Sequence, residues 1–172
     1  AARSYRVQAE QVERGRGGDS VLTVFLELDL DMQKVSQAFG AHCFYAPGTE
    51  GLTSLGLESW TTLMHGDFRR EALKEWLSRY FALTTYEVSC PAIRDASLAP
   101  EGKTGLIVST LFSVDLVRFI HQAGWYADLK EFCTRQILAQ LEKAMPGIGE
   151  RLIDSSCATP LTIEKLMGNA DG

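Results

Sequence analysis

The sequence predicts an α+β fold: an antiparallel or mixed sheet of about five strands with helices packed on one face. Three observations lead there. Residues 21–30, VLTVFLELDL, set Leu22, Val24, Leu26, Leu28 and Leu30 against Val21, Thr23, Phe25, Glu27 and Asp29, the period of two expected of a strand with one apolar face. Two segments, 67–80 and 125–144, instead repeat apolar side chains at helical spacing. The elements follow in the order β-β-α-β-β-α-α-β-α, which fits a sheet with helices on one side. With 172 residues, 45% of them apolar and 23% charged, the chain has material for one ordinary core. It reads as a single domain over residues 1–172.

The first strand follows a flexible glycine-rich turn, Arg14-Gly15-Arg16-Gly17-Gly18. A short turn or helix over 31–39 leads through Gly40 to a second strand, 41–45, ended by Pro47-Gly48. After a loop to about His65, Asp67 is suited to cap an amphipathic helix carrying Phe68, Ala72, Leu73, Trp76, Leu77 and Tyr80. The third strand is expected over 83–90, stopped by Pro91, and residues 92–103 read as loop. The fourth, 105–112, is apolar at nearly every position, which predicts a central place in the sheet with cover on both faces. Ser113 is placed to cap a helix over 114–121. Gly124 interrupts it, and a longer helix from near Trp125 carries Leu129, Phe132, Cys133, Ile137, Leu141 and Ala144 on one stripe, ended by Pro146-Gly147. A strand at 152–157 and a helix with Thr159 as cap and Pro160 at its first position complete the chain.

The formal net charge of −5 argues against nucleic acid as a partner, since phosphate binding needs a clustered positive surface. No run of about 18 apolar residues is long enough to span a bilayer. Any membrane contact is expected to be peripheral, and the location cytoplasmic. Cys43, Cys90, Cys133 and Cys157 are spaced singly among apolar neighbours, the pattern of free thiols acting as small hydrophobes, with no metal-ligand spacing. His42, His65 and His121 read as structural, and Glu27, Asp29 and Asp31 as a solvated strand end. Trp76, Tyr80, Trp125 and Phe132 are spaced as helix core anchors. Neither a phosphate-binding glycine loop nor a hydrolase or zinc motif is present. The cluster Gly15, Gly17, Gly18 precedes a strand, whereas a dinucleotide loop must follow one.

Several phrases together resemble the phytoene-dehydrogenase-related flavoproteins. They are Asp19-Ser20 before VLTVFLELDL, the loop Ser97-Leu98-Ala99-Pro100-Glu101-Gly102-Lys103, the break Gly124-Trp125-Tyr126, and the ending Ala158-Thr159-Pro160-Leu161-Thr162-Ile163-Glu164 with Gly168-Asn169 and Gly172. The resemblance spans nearly the whole chain. It implies the substrate-covering domain of an amine-oxidase-like enzyme, excised from a larger FAD-dependent oxidoreductase. In such enzymes the flavin takes hydride or electrons from a long apolar polyene such as a carotenoid precursor, or supports its isomerisation. FAD is then expected in the full-length protein and held outside this chain, whose main partners are the missing FAD-binding domain and an apolar small molecule. The chain alone is expected to be inactive and open to self-association through its exposed face.

No catalytic residue carries over from the family. The apolar face of strand one is expected to pack on the helices and its mixed face to look toward the flavin domain, with Thr23, Phe25, Ile107 and Ser109 as part of a substrate roof. Two other readings stand beside this one. The first is a self-sufficient binding module; the second is the same scaffold acting on an amine, a retinoid or another lipid.

Overall fold

Leu22, Val24, Leu26 and Leu28 are 0–2% exposed, while Phe25 and Glu27 between them are open to solvent. That alternation organises the fold in the computed structural model, which describes residues 20–55 and 69–168. Strand β1 (Val21–Leu28) lies inside an antiparallel five-stranded sheet with β2 (His42–Tyr45), β3 (Tyr86–Ser89), β4 (Thr104–Leu111) and β5 (Leu152–Ala158). Their order is β2-β3-β4-β1-β5. The first strand of the chain therefore pairs with two late ones, Val24 opposite Val108 on one side and Cys157 on the other.

Five α-helices accompany the sheet among the described residues. They are α1 (Met32–Phe39), α2 (Arg70–Leu83), α3 (Val114–Gln122), α4 (Tyr126–Ala144) and α5 (Pro160–Met167). Val35 and Phe39 of α1, Leu73, Leu77 and Phe81 of α2, Leu116 and Ile120 of α3, and Leu129, Ile137 and Leu141 of α4 share one core with the buried row of β1 and with Tyr86, Val88, Leu106 and Val108. Burying each such side chain contributes about 1.5–3 kcal/mol. Polar ties fix the layers against each other. Tyr45 of β2 donates to the carbonyl of Gln140 in α4 (3.1 Å), Tyr86 donates to the carbonyl of Phe81, and the hydroxyls of Thr84 and Thr110 meet at 2.7 Å.

The caps expected at Ser113 and Thr159 are in place, and Asp31, read from the sequence as part of a solvated strand end, is a third. Asp31 accepts from Gln33 N–H, Ser113 from Leu116 N–H, and Thr159 forms a reciprocal capping box with Thr162. Asp67, Phe68 and His65 fall outside the described residues, as do Gly15, Gly17, Gly18, Asn169 and Gly172.

Three expectations are corrected. The third strand does not begin at Leu83, because that residue completes α2; Thr84 N–H still bonds the Tyr80 carbonyl, and pairing starts at Tyr86. The segment read as loop contains two 3-10 turns, Pro91–Ile93 and Ala96–Leu98, the second opened by the Asp95 carboxylate on Ser97 N–H. Strand β4 is central as expected, yet its cover among the described residues is on one side: Leu106 and Val108 are buried, while Gly105, Ile107 and Ser109 are half-exposed. Its largely apolar run conceals the same alternation that β1 displays openly.

Candidate functional site

Odd-numbered positions of β1 face away from the core, and the antiparallel register sets odd positions of β4 opposite them. Thr23 thus stands across from Ser109, and Phe25 across from Ile107. All four expected site residues form one block, two by two, on the face turned away from the core. The Thr23 and Ser109 hydroxyls share a hydrogen bond of 2.9 Å. Phe25 is 43% exposed, Ile107 and Ser109 are half-buried, and Thr23 is the covered member at 9%. None of the four lies under the long helices α2 and α4.

Cross-strand pairing extends the block into two rows. His42, Ser89, Ile107, Phe25 and Ser156 form one; Phe44, Glu87, Ser109, Thr23 and Ala158 form the other. The surface is apolar and hydroxylated at its centre and ionisable toward its margins. His42 and Glu87 meet at 2.9 Å on one side, and Lys103 and Glu27 lie 3.9 Å apart on the other. Sequence reasoning did not assign Phe44, 73% exposed, or Leu111, 52% exposed, to this face. The four residues of β2 are too few to point to Phe44, whose facing follows from its pairing with Glu87.

Two clefts of similar size flank the block. One, of about 450 Å³, lies at the start of β1 between Val21, Phe44, Leu52, Leu83, Leu111 and Ser109. The second, of about 440 Å³, lies at the end of β1 between Phe25, Glu27, Leu98, Pro100, Lys103 and Asp154. The Ser97–Lys103 loop, one of the phrases carrying the family resemblance, thus supplies a wall beside Phe25.

The reactive side chains elsewhere have structural occupations. Asp31 is committed to capping α1, Asp29 is exposed, and Glu27 belongs to the second cleft. His121 sits in the last turn of α3 with its ring edge-on to Tyr126 at 5.2 Å. All four cysteines are free. Burial pushes the Cys157 thiol up to about 11 and the Cys133 thiol well above its ordinary value, so neither is a ready thiolate. Among the described residues no three His, Cys, Asp or Glu side chains gather as metal ligands. Trp76 and Trp125 are buried anchors, and Tyr80 and Phe132 pack against the core from its edge.

The fit to a flavin dinucleotide is tested by the turns from strand to helix. A pyrophosphate needs glycines there and free N–H groups at the helix start. The turn from β1 to α1 holds Asp29, Leu30 and Asp31, that from β4 to α3 holds Phe112 and Ser113, and that from β5 to α5 holds Thr159. Each of these three helix starts is already capped by a side chain. The described residues therefore do not fit the pyrophosphate. Compared with protein-family models and with curated proteins, the sequence matches none.

Proposed function

We propose that this chain is the substrate-covering domain of a larger FAD-dependent oxidoreductase related to the phytoene dehydrogenases, and that the sheet face bearing Thr23, Phe25, Ile107 and Ser109 roofs a long apolar polyene. One observation carries the reading. The four residues expected from the sequence stand as one block on the accessible side of the sheet, between two clefts, rather than in the core. Exposing Phe25, Phe44 and Leu111 on one face costs solubility unless something covers them. A substrate and a neighbouring domain supply that cover. Phe25 and Ile107 would lie against the polyene and exclude water, while the Thr23–Ser109 bond satisfies two hydroxyls that would otherwise face a hydrocarbon. The flavin, which has no cradle among the described residues, would be held by another part of the larger protein.

The test is the visible absorption spectrum of the protein expressed from the complete reading frame, beside that of this chain alone. Flavin bands in the larger protein and none in the chain are expected. If the larger protein takes up no flavin even with FAD added, the oxidoreductase reading fails and a binding module replaces it.

A further inference from the structure

We infer that the roof distinguishes the two ends of its substrate, seating a hydrocarbon end at the Val21–Leu111 cleft and a hydroxyl-bearing end at the cleft of Glu27 and Lys103. The inference rests on the substrate-roof reading above and adds polarity to it. The two clefts lie at opposite ends of the same strand pair, at the levels where Val21 faces Leu111 and Glu27 faces Gly105. The rise of a strand puts those levels about 20 Å apart. A molecule that fills both must be long and must lie along the strands, over Phe25 and Ile107.

The two ends differ in chemistry. At the first cleft the walls are Val21, Leu52, Leu83, Leu111 and Phe44, and most of its polar side chains are partnered. Thr84 and Thr110 bond each other, and Glu87 is held by His42. A hydrocarbon terminus meets mostly apolar walls there.

At the second cleft Asp154 accepts from Ser155 N–H at 2.8 Å, while Glu27 and Lys103 are only loosely paired. Glu27 stands directly across from Asp154, two carboxylates on neighbouring strands, an arrangement that destabilises a sheet. Its one cation in reach among the described residues, Lys103, is 3.9 Å away, beyond hydrogen-bond distance. On the other side of Glu27 the partner is Gly105, so no side chain stands across from the carboxylate on that strand. A hydroxyl fits this gap as donor and acceptor at once, giving its proton to the Glu27 carboxylate and accepting from Lys103 Nζ. A carboxylate terminus would meet two like charges against one ammonium.

The experiment uses the full reading-frame protein with FAD and three probes that differ only at one terminus: a linear conjugated polyene hydrocarbon, its terminal alcohol and its terminal acid. Binding is read by quenching of tryptophan fluorescence in wild type and in Glu27→Gln, Lys103→Met and Phe25→Ala. The alcohol is expected to bind about tenfold more tightly than the hydrocarbon. The Glu27 and Lys103 substitutions should erase that difference. Equal binding of alcohol and hydrocarbon by the wild type overturns the end discrimination while the roof stands, as does tighter binding of the acid. Failure of all three probes to bind, or their indifference to Phe25→Ala, sinks the roof reading itself.

Discussion

Phe25 and Leu26 are neighbours in sequence and opposites in environment, at 43% and 2% exposure. Leu26→Ala should cost about 2–5 kcal/mol by leaving a cavity in the core, whereas Phe25→Ala should change stability by roughly 0.5 kcal/mol or less; urea unfolding of the two variants checks the contrast. That parity makes Thr23 and Phe25 legible as site residues from the amino-acid order alone: once one side of an alternating strand is apolar throughout, the other side must face something else. Phe44 is not legible in this way, because a strand of four residues is too short to display its period and its facing depends on the pairing with Glu87. A second residue-scale prediction concerns Glu142, which accepts from the N–H groups of Gly147 (2.5 Å) and Gly149 (3.1 Å) just beyond the end of α4. These bonds hold its carboxyl below the usual range. A depressed folded-state value means that the stabilisation is present above the unfolded value of about 4.3 and is lost as pH falls through the folded one. Glu142→Gln should therefore lower the urea midpoint at neutral pH and narrow its gap to wild type in acid, measured at pH values on both sides of that window.

Among the elements, α5 depends most visibly on its first turn. Thr159 is fully buried, exchanges hydrogen bonds with Thr162 and reaches the Tyr126 hydroxyl at 2.7 Å, so it ties α5 to the start of α4. Thr159→Ala is expected to destabilise the protein by about 1–2 kcal/mol, seen as a lowered thermal midpoint, while Thr162→Ser, which keeps the hydroxyl, should cost much less. Helix positions are readable wherever a period runs for two turns or more, as in α2 and α4, whose starts carry no side-chain cap. The boundary at Leu83 is not, since Thr84 and Thr85 favour a strand by local preference while the helix hydrogen bond to Tyr80 continues through Thr84. Nor does local periodicity give Phe81 its place: it stacks on Phe112, ring centroids 5.9 Å apart, a contact between α2 and the end of β4 that no local pattern encodes. The one-sided cover of β4 escapes for the reverse reason. Leu111 looks like a core residue in sequence, and the register with β1 shows that it belongs to the accessible face beside Ile107.

At the scale of the molecule, one face of the sheet is closed by a continuous core and the other presents Phe25, Phe44 and Leu111. The chain on its own should associate with itself through that second face, and the pair Phe25→Ser with Phe44→Ser should shift its sedimentation toward monomer without lowering its urea midpoint by more than about 1 kcal/mol. Sheet order carries a consequence of a different kind. Strand β1 is made early, but its partners β4 and β5 come late; Thr23 and Ser109, bonded in the finished sheet, are 86 residues apart. A ribosome adding about 5–20 residues per second takes roughly 4–17 s to cover that interval. Throughout it the leucine row of β1 is outside the exit tunnel or approaching its mouth without a partner on either edge. Glu27 and Asp29 interrupt that row with negative charge, and they serve the nascent polypeptide as much as the folded one, keeping a sticky ribbon dispersed until the rest of the sheet has been translated.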